Sequence, residues 1–359
     1  MIKDKPYRNF SLRQHLGHIG QGLPSVCHFE LTFRCWFQCR HCYSSCFNSP
    51  DFLKKELSLK DVRYILDGLS QMGVLWLCLS GGDPLYRDDF LDIYAYAKSK
   101  GFITTVFTSL YSMNKKILNY FKRFPPFLIE STINGANPQT FEYISQLSGS
   151  FNKFISNLKS VLNANLPIKL KTQITKDNVD EYHKLKELIK GLGLNFNPSF
   201  ILYPQLNGDT SVCKLRVAEA RIVEIFFARQ RQNDSSGPLW QAFFTCAITS
   251  GDSMVVDPYG NVVPCVCLRQ PKINALERGV KLAYAEVLAW IRQQQFKRHS
   301  LCQDCSLRQY CFNCPGRAFL ETGRPEEKVE YYCSLAQQLQ LHLKKDRVLS
   351  KKNLGFVCV

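Results

Sequence analysis

The chain has 359 residues, 45% hydrophobic and 21% charged, which fits a soluble globular protein with one large and one smaller domain. No apolar run approaches the roughly 20 residues of a bilayer span, and the basic N-terminus has no apolar core behind it, so a cytoplasmic protein without a membrane partner is expected. The formal charge of +16 suits an acidic partner, but Lys and Arg are spread along the chain and no nucleic-acid module is present, so nucleic acid is not an expected partner.

Residues 1–25 read as an irregular lead-in. Val26 to Thr32 is the first predicted strand. Leu59 to Met72 has the apolar spacing of a helix, with Ser58 as its cap. Val74 to Leu79 is a continuous apolar run of the kind found in buried parallel strands. The rhythm then repeats. Helices are predicted over 90–100, 110–121, 151–163 and 179–192, and strands over 102–107, 127–133, 168–174 and 195–202. Six β/α units over residues 26–203 predict a parallel sheet, either an open doubly wound sheet or a barrel. Residues 204–245 read as a bridge with a helix over 215–231. From residue 246 to 335 the chain turns to short elements and cysteines, with a hairpin around Asp257 to Asn261 and a helix over 282–299. Residues 336–359 read as a basic tail, helical at first.

Sixteen cysteines in a reducing compartment point to metal ligation rather than disulfides. The densest signal is Cys35-Trp-Phe-Gln-Cys39-Arg-His-Cys42-Tyr43, a Cx3Cx2C array just after the first strand. Three thiolates on one loop can hold three irons of a [4Fe-4S] cluster and leave the fourth iron open. Zinc would need a fourth ligand, for which His41 or Cys46 is available. Ser80-Gly81-Gly82-Asp83-Pro84 follows the second strand, where two glycines permit close backbone approach.

Together these motifs resemble the radical S-adenosylmethionine (SAM) superfamily. The resemblance implies a partial (β/α)6 TIM-like barrel with its functional loops at the C-terminal strand ends. It assigns Cys35, Cys39 and Cys42 to a [4Fe-4S] cluster whose open iron takes the amino and carboxylate groups of SAM. Gly81, Gly82 and Asp83 would lie along the methionine part, and Thr108, Ser109, Glu130, Thr132 and Lys171 are further expected cofactor contacts. Glu130 inside an apolar strand needs a partner, either the ribose or a nearby base.

The C-terminal cysteines are Cys246, Cys265, Cys267, Cys302, Cys305, Cys311, Cys314 and Cys333. Their spacing resembles the SPASM extension of peptide-modifying radical enzymes, with x2 instead of x3 between Cys311 and Cys314. That resemblance implies two auxiliary [4Fe-4S] clusters, one on Cys246, Cys265 and Cys314, the other on Cys302, Cys305, Cys311 and Cys333. The first lacks a fourth ligand, for which Cys267, Cys213, substrate or nothing at all stands open. Arg317 is placed to pair with Glu321 one helical turn on.

The overall resemblance, over residues 26–335, implies a maturase of a ribosomally made precursor peptide. It would cleave SAM to a 5′-deoxyadenosyl radical and give a crosslink, an epimerisation or a backbone rearrangement. A separate small leader-recognition protein and a flavodoxin- or ferredoxin-like reductant are the expected partners. Tyr203, Asp209 and Cys213 in the bridge are candidate substrate-side groups. A tetrapyrrole side-chain enzyme is the alternative, and an iron–sulfur electron carrier the non-enzymatic one.

Overall fold

The computed structural model describes residues 7–227, 243–244, 246–297 and 300–349. Helix α1 (Tyr7–Gln21) precedes strand β1 (Val26–Thr32). Short α2 (Pro50–Leu53) and α3 (Leu59–Gln71) lead to β2 (Trp76–Gly81), and α4 (Phe90–Ser99) leads to β3 (Ile103–Phe107). Then come α5 (Lys115–Arg123), β4 (Leu128–Thr132), α6 (Pro138–Ser145), α7 (Ser150–Asn163), β5 (Ile168–Gln173), α8 (Tyr182–Gly191) and β6 (Phe196–Ser199). The six strands pair in sequence order, all parallel. This is the partial α/β barrel that the motifs implied.

Alternation along each strand divides its side chains between two faces. Cys27, Phe29 and Leu31 of β1, with Leu77 and Leu79 of β2, are fully or almost fully buried in the main apolar core. Each large side chain removed from water there contributes about 1.5–3 kcal/mol. His28, Glu30 and Thr32 alternate with them and face the other way, into the sheet's inner face. Local signals agree with the tertiary packing. Ser58 and Asp61 form a reciprocal capping box at the start of α3, whose Val62, Ile65, Leu66 and Leu69 are buried.

The sheet continues beyond the barrel. Strand β7 (Ser253–Val256) pairs parallel to the free side of β1, and β8 (Asn261–Val263) and β9 (Ile273–Asn274) follow antiparallel, giving the order β6-β5-β4-β3-β2-β1-β7-β8-β9. The β7–β8 turn is held by Asp257, whose carboxylate accepts from the Tyr259 and Asn261 amides at 2.9 Å each. The bridge contains α9 (Glu219–Ile222), and the C-terminal region adds α10 (Ala275–Arg278), α11 (Val280–Gln293), α12 (Pro315–Thr322) and α13 (Glu330–Leu349). Helix α11 lies so close to α3 that a Cβ on Gly68 would meet Val280 at 2.5 Å.

Several expected boundaries change. The lead-in is helical over Tyr7–Gln21, and His15 anchors it by stacking on Trp76 at 4.5 Å and contacting Asp252 at 2.7 Å. Its Leu12 and Leu16 stay exposed, so no apolar stripe announced the helix. The expected bridge helix over 215–231 is a four-residue helix running into a π turn at Val223–Phe227, and residues 228–231 lie outside the described residues. The helix expected over 282–299 ends at Gln293. The expected tail from 336 is helical to Leu349 and docks Leu335, Ala336, Leu339 and Leu343 on bridge residues Ile222, Val223 and Phe227.

Candidate active site and cysteine lobes

The inner face of the sheet carries charge in matched pairs. Glu30, fully buried on β1, receives both terminal nitrogens of Arg269 at 2.6 and 2.8 Å. Glu130 on β4 pairs with Lys171 on β5, and Lys171 also lies 4.2 Å from the Phe107 ring centre on β3. His28 contacts Ser80 across β1 and β2 at 2.5 Å. Burial pushes the His28 imidazole below its usual range, with Arg269 and Lys171 acting in the same direction and Glu30 opposing. Pairing is what makes these charges tolerable away from water.

The cysteine loop leaves the C-terminal end of β1. Its root is clamped by β2. The Gly82 amide donates to Thr32 O at 2.7 Å and the Asp83 amide to Arg34 O at 2.8 Å. Glycine is required at this crossing, because Gly81 has φ +130° and a Cβ there would meet Thr32 O at 1.9 Å. A Cβ on Gly82 would meet Arg34 O at 2.4 Å. Asp83 then gathers the next strand end. Its buried carboxylate accepts from Thr108 Oγ1 at 2.8 Å, Leu85 N at 3.0 Å, and both the amide (3.1 Å) and hydroxyl of Ser109. These bonds oppose the upward push of burial on the Asp83 carboxyl.

Cys35, Cys39 and Cys42 face one another electrostatically. Burial raises the Cys35 thiol, and Asp83, Cys39 and Cys42 raise it further. Burial also pushes Cys39 up to about 12, with Cys42 adding to the effect. Asn134 Nδ2 donates to Cys39 Sγ at 3.6 Å, and Asn134 O is held by Asn178 Nδ2 at 2.9 Å.

The C-terminal thiols fall into two groups. Cys265 and Cys267 share a hydrogen bond that pulls Cys265 down, and Cys314 faces both. A Cβ on Gly316 would stand 3.6 Å from Cys267 Cβ, which shows how tightly the Cys314 turn packs on that pair. In the second group, burial pushes Cys311 up to about 11, followed by a lowering Asn313 amide and the raising thiols of Cys333, Cys302 and Cys305. Backbone amides point at sulfur in both groups, Leu268 N to Cys265 at 3.3 Å and Asn313 N to Cys311 at 3.5 Å.

Among the described residues no three His, Cys, Asp or Glu side chains close around a common point that defines a metal cage. The donor chemistry fits an iron–sulfur group all the same. The groups are made of thiols, none of the fifteen described cysteines is in a disulfide, and the amides aimed at sulfur favour thiolate. One set brings together Cys265, Cys267 and Cys314, and the other Cys302, Cys305, Cys311 and Cys333. Cys246 is exposed.

Residues 29–190 match the family model of the Radical SAM superfamily. The matched region, from within β1 to the end of α8, is that of a radical SAM catalytic domain. An AdoMet-dependent heme synthase of Methanosarcina barkeri is 25% identical over 344 residues, covering 86% of this chain and 96% of its own length. A PqqA peptide cyclase of Granulibacter bethesdensis is 25% identical over 320 residues, covering 82% of this chain and 83% of its own. Among solved structures, Streptococcus suis SuiB bound to precursor peptide SuiA superposes with a TM-score of 0.67 at 16% identity, covering 93% of this chain and 82% of that one. Native anSMEcpe with bound AdoMet gives a TM-score of 0.60 at 12% identity, covering 90% and 98%. These structural likenesses extend through the C-terminal cysteine-rich region, so the fold is that of radical SAM proteins carrying such an extension.

Within this radical SAM frame the expected residues are distributed unevenly. Gly81, Gly82, Asp83, Thr108 and Ser109 form one connected hydrogen-bonded unit beside Cys35, and Lys171 answers Glu130. Thr132 lies in register with Lys171. Tyr203 sits between the lobes, its ring 5.7 Å from that of Tyr43 and its hydroxyl hydrogen-bonded to Cys267. Asp209 is exposed and engages Ser211 N and Oγ at 2.8 and 2.7 Å in a surface turn. Cys213 lies beside Arg216, Glu321 and Asp209. Glu321 does not pair with Arg317; it takes both terminal nitrogens of Arg216 at 2.7 and 2.6 Å, which ties the bridge to α12. Glu30, Arg269 and Asn134 were missed. Glu30 had the signal that exposed Glu130, a charge in an apolar strand, whereas Arg269 reaches it across 239 positions and left none.

Proposed function

We propose that this protein binds SAM at a [4Fe-4S] cluster held by Cys35, Cys39 and Cys42 and modifies a ribosomally made precursor peptide by hydrogen abstraction. The observation that carries the reading is the clamp of Gly82 and Asp83 onto the root of the three-thiol loop, since it joins the two motifs in one site. A cluster on those thiols supplies the electron that cleaves SAM to a 5′-deoxyadenosyl radical.

The chain's own residues do the rest. Gly81 and Gly82 bring the second strand end against the loop, Asp83 fixes Thr108 and Ser109 as a polar rim, and Asn134 donates to Cys39. Glu130, Thr132 and Lys171 line the inner face on which the adenosine end would lie. Auxiliary clusters are assigned to Cys246, Cys265, Cys267 and Cys314, and to Cys302, Cys305, Cys311 and Cys333. Tyr203, which spans the gap between the lobes, is the substrate-side group best placed of the three in the bridge. The product would be a crosslink, an epimer or a rearranged backbone. A small leader-recognition protein and a flavodoxin- or ferredoxin-like donor would serve it in the reducing cytoplasm.

The peptide reading is supported by the peptide cyclase and the peptide-bound SuiB among its relatives. One observation favours a second reading, a tetrapyrrole side chain as substrate: the heme synthase aligns over 96% of its own length. Anaerobic incubation with SAM, reductant and either precursor peptides encoded beside the gene or porphyrins bearing propionates separates the two. A substrate-dependent mass change in the peptide supports the first. Decarboxylation of the porphyrin, with peptides unchanged, replaces it by the second.

A further inference from the structure

Buried arginines in this protein carry carboxylate partners. Arg87 pairs with Asp89 at 2.7 Å, Arg216 with Glu321 at 2.6 Å, and Arg269 with Glu30 at 2.6 Å. Arg317 is the exception among them. Its Nε is buried without a hydrogen-bond partner, and no carboxylate oxygen lies within ion-pair distance among the described residues. Its Nη1 donates to the carbonyl of Phe312, a neutral acceptor, and the guanidinium sits 6.0 Å from the Tyr203 ring centre. Glu321, one helical turn away and the obvious local partner, is occupied by Arg216.

A guanidinium stays charged at any physiological pH, so desolvating it without an anion is costly. The charges that could answer it are on sulfur. Cys314 first, then Tyr332, Cys267 and Tyr203, favour its charged form against the penalty of burial, and because burial raises both phenols the thiols are the groups among them that can carry the answering charge. Helix α12 adds to the same field, because Cys314 is its N-cap and stands at the positive end of the helix dipole.

We propose that Arg317 is the fixed counter-cation of the group held by Cys265, Cys267 and Cys314, and that its charge raises that group's reduction potential. The inference rests on the iron–sulfur reading above and adds a positioning role for a residue that touches no substrate. A fixed positive charge beside an iron–sulfur group stabilises its reduced, more negative form, which moves the potential upward. None of the Cys302, Cys305, Cys311 and Cys333 thiols is among the groups that answer the Arg317 charge, so that group serves as an internal control.

The test is a redox titration of reconstituted full-length protein followed by electron paramagnetic resonance, with SAM added to mark the centre that responds to it, and iron counted for each variant. In Arg317→Met one SAM-insensitive centre shifts to lower potential while the others stay in place, and Arg317→Lys restores most of the shift. Loss of that centre's iron in Arg317→Met but not in Arg317→Lys supports the same role. An unchanged potential with full iron in Arg317→Met overturns the inference, as does an equal shift in the Lys and Met variants, which would mark packing rather than charge. A Cys265→Ser variant that keeps the full iron content of wild type removes the inference together with the cluster assignment, and the iron count alone distinguishes that case.

Discussion

The loop bearing Cys35, Cys39 and Cys42 leaves a strand paired on both sides, β2 on one and β7 on the other. Cys302, Cys305 and Cys311 sit in a segment with little regular structure: between Gln293 and Glu330 the described residues form only a turn at Arg308–Tyr310 and α12. The first site is positioned by hydrogen bonds from a sheet. The second is a set of turns whose thiols repel as thiolates and raise one another when buried. A bound group is therefore optional for the shape of the first and necessary for the second.

Iron removal makes the sharpest break between them. Chelated under reducing conditions, the protein should lose amide protection from Ser300 to Cys333 while β1 to β5 keep theirs, as read by hydrogen exchange. Uniform loss across both regions would show that the sheet does not support its loop independently.

The seam between the regions is the next point of attack. Glu30→Ala leaves Arg269 buried without its carboxylate, and unfolding in denaturant should report a loss of about 3–5 kcal/mol. The double variant Glu30→Met, Arg269→Leu should recover most of it. Within the barrel, Gly82→Ala forces a methyl against Arg34 O and Phe33 O, for about 1–3 kcal/mol, and calorimetry should find SAM binding weakened as the loop root shifts. The smallest effect belongs to a site remote from both lobes: Ser58→Ala removes the α3 cap and should lower stability by about 1 kcal/mol with SAM cleavage unchanged.

The same contrast explains what was legible beforehand. β1 was placed at its observed bounds and β2 to β5 within a few residues, because apolar runs are local signals, whereas α5 begins five residues after the expected start and α6 was not expected. The three-thiol array and Gly81-Gly82-Asp83 could be read from spacing for the same reason. Helix α1 was missed because His15 and Tyr7 hold it through single contacts at Trp76 and Asp252, with no apolar period to see. The Arg317 to Glu321 pairing failed because Arg216, a hundred positions earlier, competes for the carboxylate. The continuation of the sheet through β7 was likewise hidden, since a four-residue strand does not announce which edge it will join.

The most direct test is the yield of 5′-deoxyadenosine after anaerobic reconstitution with iron and sulfide, then addition of SAM and reductant. The account predicts deoxyadenosine and methionine from wild-type protein, none above background from Cys35→Ala, Cys39→Ala, Cys42→Ala, and continued SAM cleavage without substrate turnover from Cys302→Ser, Cys305→Ser. Wild-type protein with full iron and no deoxyadenosine would contradict it, and so would a triple-alanine variant that cleaves SAM as well as wild type.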